Sequence, residues 1–398
     1  DGRSVGAPAI ELALREILSR SAPGVSGATA PAAAPAPIGV LTSLPRDEWA
    51  AARADLEAAS PGNAASLAAI DSALFAVTLE DAAPTDPAAV NNTFLHGDGT
   101  NRWFDKSFQL IVTANGKAAV NFEHSWGDGV AVLRYFNEVH RRATAAPLER
   151  PGRRATGAAL KTLSFDPVPP SVSAAVAKAE RRLRDHAAAM TVRVFESDLI
   201  GSDWAKSRRL SPDGLMQMSL QLAHFRLHGA MASTYESAST AAFKHGRTET
   251  IRAATPESHS MCRVFADAGT APADRDGALR LAVNTHSGVT RDCLMGKGVD
   301  RHLFALRALA TELHGAPPEA LDDATYKVFS EIIISTSTLS SDALADGGFG
   351  PVNDKCYAAG YGIKRDSCGY VLRSQRPDVD ALADAILEAQ RDIREAVD

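Results

Sequence analysis

The chain has 398 residues, of which 45% are apolar and 23% charged, an average composition for a globular protein. Its formal net charge of −6 argues against a nucleic-acid-binding protein, which normally carries a surplus of basic residues. The length exceeds that of one ordinary core and predicts two domains. The four cysteines have neither CxxC spacing nor a histidine at ligand spacing, so the sequence predicts no metal site.

The first part of the chain predicts helices followed by a strand. Apolar residues recur at helical spacing over residues 7–20 and again over 46–67, which predicts two helical segments. Residues 23–37 are rich in Ala, Pro and Gly and predict a surface connector between them. The apolar run at residues 70–79 predicts a buried strand, although so short a run is also compatible with a helix.

A hairpin is the clearest local structure in the sequence. Residues 107–113 and 118–122 have strand character, and the turn between them contains Asn115-Gly116, a strong hairpin signal because both residues tolerate positive φ. The following segment places four apolar residues on one helical face, namely Val132, Leu133, Phe136 and Val139. His124 therefore lies where a strand gives way to a helix, and a side chain at such a junction can project into a cleft.

A change of composition near the middle of the chain predicts the domain boundary. Residues 144–173 are rich in Pro and Gly, which is typical of a linker. We therefore predict one domain over residues 1–165 and a second over residues 166–398. A helix over residues 170–190 is expected to open the second domain.

The second half contains one helix with clear start and stop signals. Residues 211–213 (Ser-Pro-Asp) supply an N-cap, a proline at the first helical position and an acid near the positive end of the helix dipole. Gly229 is a natural stop for this helix. The β-branched run at residues 332–337 predicts a central strand, and residues 377–397 predict a closing amphipathic helix.

The motif with the clearest chemical potential is HxxxDG, formed by His124, Asp128 and Gly129. A histidine side chain titrates near neutral pH and can act as a general base, and an acid four residues later can orient its ring. By itself the motif is equally compatible with a buried histidine beside a helix-capping aspartate. Its place between a hairpin and an apolar helix favours the functional interpretation.

The motif resembles the active-site pattern of the CoA-dependent acyltransferase superfamily, which includes chloramphenicol acetyltransferase and condensation domains. Longer segments are similar, in the same order, to the carnitine/choline acyltransferases, and these are residues 95–107, 122–134, 234–252, 300–306 and 334–341. The resemblance implies an α/β fold of two related chloramphenicol-acetyltransferase-like domains, each a mixed β-sheet covered by helices. It also implies an incomplete first domain, because the family's N-terminal section has no counterpart in this sequence.

The resemblance also implies roles for individual residues. His124 matches the family's general base, Asp128 an acid that orients it, and Ser337 a hydroxyl that stabilises the oxyanion. A further set matches the carnitine site, namely Tyr235, Ser237, Thr248, Arg301, Ser335 and Phe349. A carboxylate held away from water requires a charged partner and several donors, as this set would provide. Phe349 offers an aromatic face to the trimethylammonium group.

Two further sites follow from the resemblance. The CoA-binding stretch of the family matches Lys206, Arg208, Arg209, Ser211 and Asp213, although such a run is otherwise typical of a solvated basic loop. Gly347 matches a position where a small residue leaves room for a long acyl tunnel, although the residue is also compatible with a simple turn. Each buried methylene contributes about 0.8 kcal/mol, so such room would favour long acyl chains.

The expected activity is therefore reversible transfer of a long-chain acyl group between carnitine and coenzyme A, without a metal or a permanently bound cofactor. Acyl-CoA and acylcarnitine are the expected partners, and nucleic acid is not. The resemblance implies a mitochondrial location on the matrix side of the inner membrane. Peripheral membrane attachment and a larger assembly are further expectations. Two alternatives are a medium-chain or choline-directed acyltransferase and a catalytically silent scaffold with the same fold.

Overall fold

The computed structural model of the chain describes residues 5–21, 36–146 and 160–398. The connector predicted over residues 23–37 lies almost wholly outside these ranges. Much of the proline- and glycine-rich stretch predicted as the domain boundary, residues 144–173, lies outside them as well.

The described residues divide into two compact units. Unit 1 comprises Asp1–Trp126 and Tyr135–Ala187, and unit 2 comprises Gly127–Arg134 and Ala188–Asp398. Each unit has its own sheet, and each sheet contains both parallel and antiparallel strand pairs. The expected α/β class with mixed sheets and helices is confirmed. The domain boundary at residue 165 stays a prediction.

The elements up to residue 188 are mostly helical. In chain order they are α1 (Ala7–Ser21), a 3-10 helix (Ile38–Ser43), α2 (Arg46–Ala59), α3 (Pro61–Ser72), β1 (Ala76–Glu80), α4 (Pro87–Leu95), β2 (Phe108–Thr113), β3 (Ala118–Phe122), α5 (Gly129–Ala145) and α6 (Pro170–Ala188). The three strands form one sheet in the order β1-β2-β3, with β1 parallel to β2 and β2 antiparallel to β3.

The predicted hairpin is confirmed as strands β2 and β3. Its turn is closed by a hydrogen bond from the Thr113 amide to the Lys117 carbonyl. Only Gly116 of the Asn-Gly pair has a positive φ, of 80°. The Asn115 side chain instead accepts a hydrogen bond of 2.6 Å from the Thr113 hydroxyl. The asparagine therefore favours the turn through its side chain rather than through its backbone.

Two predictions for the first third were wrong in part. The helical stretch at residues 46–67 is two helices, because Ser60 caps a new helix by accepting a hydrogen bond from the Asn63 amide and Pro61 occupies its first position. The strand predicted over residues 70–79 begins only at Ala76, since helix α3 continues to Ser72. Apolar periodicity continues across both breaks and cannot reveal them.

Unit 2 is built around a six-stranded sheet. Its elements are β4 (Thr191–Ser197), α7 (Ser202–Ser207), α8 (Pro212–His228), β5 (Thr234–Ser239), β6 (Thr248–Ile251), α9 (Pro256–Ala266), α10 (Pro272–Leu294), α11 (Asp300–His314), a 3-10 helix (Glu319–Leu321), α12 (Ala324–Ser330), β7 (Ile334–Thr338), β8 (Tyr357–Ile363), β9 (Cys368–Ser374) and α13 (Val379–Val397). The strand order is β4-β9-β8-β7-β5-β6, so the predicted central strand, β7, is confirmed as an interior strand.

Helix α8 lies at the centre of unit 2 and has the predicted ends. The Ser211 hydroxyl accepts a hydrogen bond of 3.1 Å from the Gly214 amide, and Gly229 ends the helix with a φ of 68°. Every residue from 214 to 224 is buried, because α9, α10 and α13 pack around the helix on its way across the sheet. The helix is therefore buried on all sides rather than on one apolar face.

No helix among the described residues is both long enough and apolar enough to span a bilayer.

Candidate active site

One face of the unit 2 sheet carries most of the predicted carnitine residues. On β5, Tyr235 and Ser237 point to this side because side chains alternate along a strand. Tyr235 is paired in register with Ser335 of β7, and Ser337 points the same way two residues later. We call this side the serine face, defined by Tyr235, Ser237, Ser335 and Ser337. The opposite side, which packs against the helices, is the core face.

Arg301 lies at the edge of the serine face and joins two of the predicted residues. Its Nη2 donates to the Tyr235 hydroxyl at 3.0 Å, and its Nε donates to the Thr248 carbonyl at 3.3 Å. The guanidinium carbon also lies 5.5 Å from the centre of the Tyr235 ring. The Arg301 side chain remains 43% exposed. The structure thus brings together Tyr235, Thr248 and Arg301. The guanidinium also lies 3.7 Å from an Asp300 carboxylate oxygen, and its exposed part can still meet an anionic ligand.

The sequence reasoning missed one further hydroxyl on this side of the sheet, that of Thr250. Thr250 of β6 is paired in register with Ser237 of β5, so the two side chains share a face. Thr250 is 3% exposed, and its hydroxyl oxygen has no hydrogen-bond partner among the described residues. Buried polar atoms without partners are uncommon in folded proteins, and a bound ligand or water explains such an atom. Only the strand register could reveal this residue.

The loop that contains Gly347 and Phe349 lies over strand β8. A side chain at Gly360 would meet the Gly347 carbonyl oxygen at 2.3 Å, so the loop approaches the strand where only glycine fits. Gly360 is paired with Ser337, so the loop lies beside the predicted oxyanion residue. A side chain added at Gly347 would meet no atom within 4 Å, because the position faces open space. Phe349 is half-buried two residues further on.

A buried polar network lies on the core face directly behind the serine face. His286 Nε2 lies 2.8 Å from a Glu236 carboxylate oxygen, and the Tyr361 hydroxyl donates to Asp213 at 2.6 Å. Gln217 links them to the sheet, donating to both the Tyr361 and the Thr336 hydroxyls. Asp213 was expected to bind CoA, and its carboxylate is committed to this network. The other members were missed because they are far apart in sequence.

Burial governs the protonation of this network. The net pKa of Glu236 is raised to about 7: burial raises it most, the hydrogen bond with His286 lowers it, and the charge of the neighbouring Asp213 carboxylate raises it. Burial lowers the pKa of His286, but the carboxylate of Glu236 outweighs it and the net shift is upward. One ligand atom each from Asp213, Glu236 and His286 lies within 4.8 Å of the others, so this is where the described residues could hold a metal ion.

His124 lies in unit 1, two residues after strand β3, and is exposed. Its ring packs against Phe122 with 4.9 Å between ring centres. The loop is held in shape by its neighbours, since the Trp126 indole donates to the Ser107 carbonyl at 2.6 Å. The Glu123 carboxylate accepts a hydrogen bond of 2.7 Å from the Ser125 amide. The histidine is therefore exposed on a loop that these hydrogen bonds hold in shape, and its role as a general base in a cleft stays a prediction.

Asp128 belongs to unit 2, where it is held by an arginine. Arg247 donates to the two Asp128 carboxylate oxygens from Nε at 2.9 Å and from Nη2 at 3.1 Å. Such a two-point contact fixes the orientation of the carboxylate. Arg247 was not assigned a role by the sequence reasoning. The expectation that Asp128 orients His124 stays a prediction.

The predicted CoA residues lie around the start of helix α8. Lys206 and Arg209 are exposed, and Arg209 has a left-handed φ of 57°. Arg208 donates to the Asp398 carboxylate at 2.9 Å. Ser211 caps the helix, so its hydroxyl already has a structural function. All three basic side chains are therefore exposed, and Arg208 is already paired with the Asp398 carboxylate.

A hydroxyl-rich sheet face bounded by a partly exposed arginine is suited to bind an anionic small molecule. The sequence profile described as "Choline/Carnitine o-acyltransferase" matches residues 1–388. The chain belongs to this family.

Three relatives illustrate the similarity. The chain is 39% identical to "Carnitine O-palmitoyltransferase 2, mitochondrial" of Xenopus tropicalis, over 99% of this chain and 59% of that protein. The human protein of the same name is 39% identical over 91% of this chain and 54% of its own length. "Choline O-acetyltransferase" of Sus scrofa is 32% identical over 85% of this chain and 54% of its own length. The chain thus spans little more than half the length of these relatives.

Among solved structures, the first condensation domain of the CDA synthetase superposes with a TM-score of 0.41 at 13% identity. The superposition covers 81% of this chain and 74% of that one.

Proposed function

We propose that the chain transfers long-chain acyl groups reversibly between carnitine and coenzyme A. The observation that carries the proposal is the accessible Arg301 cation on a face lined by the hydroxyls of Tyr235 and Thr248. A carnitine carboxylate satisfies the guanidinium, whereas choline has no carboxylate to offer it. The carnitine rather than the choline branch of the family is therefore favoured, in line with the higher identity to the palmitoyltransferases.

The proposed chemistry needs one base and one oxyanion donor. His124 takes the proton of the carnitine hydroxyl as its oxygen attacks the thioester carbonyl, and Ser337 donates a hydrogen bond to the resulting oxyanion. The tetrahedral intermediate then expels the CoA thiolate, which receives the proton from His124. The same steps run backwards for the reverse reaction. Ser237, Ser335 and Phe349 complete the carnitine site.

The remaining roles are part of the same proposal. Lys206 and Arg209 attract the CoA phosphates, with Arg208, Ser211 and Asp213 shaping the loop and helix that carry them. Gly347 leaves space for the acyl chain. A mitochondrial location is proposed from the names of the relatives. A place on the matrix side of the inner membrane, by peripheral attachment or within a larger assembly, is proposed from the family resemblance alone.

One assay tests the base. Purified chain is incubated with palmitoylcarnitine and CoA, and thiol consumption is followed for the wild type and for His124→Ala. We expect the substitution to reduce the rate by about 10²–10⁴-fold, because a positioned general base contributes that much. His140→Ala, which changes an exposed histidine on helix α5, is the matched control and should keep full activity.

The other outcomes are equally informative. Activity that survives in His124→Ala contradicts the assignment of the base. Absence of turnover in the wild type with every acyl donor tested contradicts the enzymatic proposal and supports a silent scaffold.

A further inference from the structure

Strand β9 contains a buried cation for which the described part of the chain provides no hydrogen-bond or ion-pair partner. Arg373 is 2% exposed and is among the largest fully buried side chains. Neither its Nε nor its Nη2 has a hydrogen-bond partner among the described residues. Burial lowers the pKa of Arg373 only to about 10, so the guanidinium is charged at neutral pH. Buried charges are normally paired, and an unpaired one calls for an anion that completes the site.

The strand register places Arg373 on the serine face. Arg373 is paired with Ala358 of β8, Ala358 with Ser335 of β7, and Ser335 with Tyr235 of β5. Side chains of directly paired residues share a face, so these residues form one row across the sheet. Leu372, the preceding residue, points the other way into the helix-packed core. The guanidinium therefore belongs to the side of the sheet that carries the candidate active site.

The same strand register gives the distance between Arg373 and Ser337, the proposed oxyanion residue. Ser337 is paired with Gly360, and Gly360 with Val371, two residues before Arg373. Neighbouring strands lie about 4.8 Å apart and residues advance about 3.3 Å along a strand, so the Cα atoms of Ser337 and Arg373 are roughly 12 Å apart. The path between them passes Gly360, over which the Gly347 loop lies. An acyl chain of medium length covers this distance.

The chemistry of the site favours a carboxylate at the end of a chain. A guanidinium binds a carboxylate through two parallel hydrogen bonds, and that contact satisfies both groups when water is excluded. A slender chain end can reach a buried position that a bulky, strongly hydrated phosphate group cannot enter without large desolvation. The carnitine carboxylate has its own cation in Arg301. The remaining source of a carboxylate in this reaction is the acyl group itself.

We propose that Arg373 binds the terminal carboxylate of an ω-carboxyacyl group, so that half-thioesters of dicarboxylic acids are substrates. The inference rests on the proposed acyltransferase function and refines its acyl specificity. Arg373 acts on specificity only, since it is remote from the bonds that form and break.

Paired substrates test this inference. The specificity constant kcat/KM is measured for adipoyl-, suberoyl- and sebacoyl-CoA and for hexanoyl-, octanoyl- and decanoyl-CoA, with carnitine as acceptor. For each length we compare the wild type with Arg373→Met, which removes the charge but keeps a long side chain. The dicarboxylyl-to-monocarboxylyl ratio should fall by about 30-fold or more at the length that fits, because one partner of a buried charge pair is lost.

Arg193→Met is the matched control. Arg193 lies on the neighbouring strand β4 and is paired with Leu372, so it faces the opposite side of the sheet from Arg373. Its side chain is 47% exposed. This variant should leave the ratio unchanged. An equal ratio in the wild type and Arg373→Met at every chain length overturns the inference.

Binding measurements separate this inference from the proposed function. If the chain turns over no acyl donor, the affinities for suberoyl-CoA and octanoyl-CoA are measured by calorimetry. Tighter binding of suberoyl-CoA by the wild type, but not by Arg373→Met, supports the carboxylate site. Equal affinities overturn it. Should Arg373→Met fail to fold, Arg373→Lys retains the charge without the two-point geometry and is expected to show an intermediate preference. A preference equal to that of the wild type would count against the guanidinium contact.

Discussion

The two faces of the unit 2 sheet carry charged side chains that differ in their exposure to solvent. On strand β5, Tyr235 faces the serine side beside Arg301, whose side chain is 43% exposed. The next residue, Glu236, faces the core and meets His286, with side-chain exposures of 6% and 2%. An exposed cation keeps its charge available for a ligand, whereas buried groups are stabilised only by pairing with one another. Alternation along a single strand therefore separates binding from internal stabilisation.

Removal of the exposed cation should have the largest effect. Arg301→Ala deletes the group proposed to bind the carnitine carboxylate, and we expect kcat/KM for carnitine to fall by about 10²-fold, mainly through KM. Steady-state kinetics with varied carnitine measure this. Arg307→Ala, an exposed arginine on the same helix, is the control. An unchanged KM in Arg301→Ala would remove the basis for a carnitine site on the serine face.

The next effect concerns chain length on the same face. Gly347→Val adds a side chain where no atom lies within 4 Å, so the fold should tolerate it while the open space is filled. We expect kcat/KM for palmitoyl-CoA to fall about 10-fold or more relative to acetyl-CoA, because several methylene contacts are lost. Gly350→Val is the control, since a side chain there also meets nothing within 4 Å. Equal losses for both acyl lengths would argue against the acyl-tunnel assignment.

The core face should respond to pH rather than to substrate. The pKa of Glu236 rises from 4.5 to about 7 on folding, so between these values the folded state holds a proton that the unfolded chain has lost. The raised pKa of His286 acts in the same direction. The contribution of both groups to the free energy of unfolding is therefore fully present at low pH and is lost as the pH rises through about 7.

In Glu236→Gln, the decrease in the free energy of unfolding between low and high pH should be smaller by on the order of 2 kcal/mol, because the amide cannot titrate. Thermal unfolding across this pH range measures the difference, and carnitine KM serves as an internal control that should remain unchanged. Parallel pH profiles in the two proteins would show that Glu236 does not govern the decline.

The smallest expected effect lies at the start of helix α8. Ser211→Ala removes the cap on the Gly214 amide and should lower the free energy of unfolding by about 1 kcal/mol. Chemical denaturation measures the change. Ser207→Ala, an exposed serine in the preceding helix, should be nearly neutral. A loss of CoA affinity in Ser211→Ala without a loss of stability would place the hydroxyl at the ligand instead of the cap.

Local signals predicted local structure well. Ser211, Pro212 and Gly229 predicted both ends of α8, because capping depends on residues adjacent in sequence. Asn115-Gly116 predicted the hairpin that precedes His124 for the same reason. The break at Ser60 was missed although its cap and proline were present, because helical periodicity on both sides concealed it.

The candidate site was predictable only where family resemblance supplied it. Tyr235, Thr248 and Arg301 were expected together, and the structure brings them within hydrogen-bond distance. The contact between Asp213 and Tyr361 joins residues 148 positions apart, and no spacing rule connects them. The expectation that Asp213 serves CoA did not anticipate its commitment to a buried network.

By itself the sequence determined the hairpin, the capped helix and the kinds of chemistry available to the chain, since these depend on neighbouring residues. Tertiary structure alone decided which charged side chains are exposed to solvent and which are buried. Register places Arg373 in one row with Ser335, and packing buries Glu236 against His286. Burial and pairing are set by segments distant in the chain, and the free energy of a charge depends on that surrounding more than on its residue type.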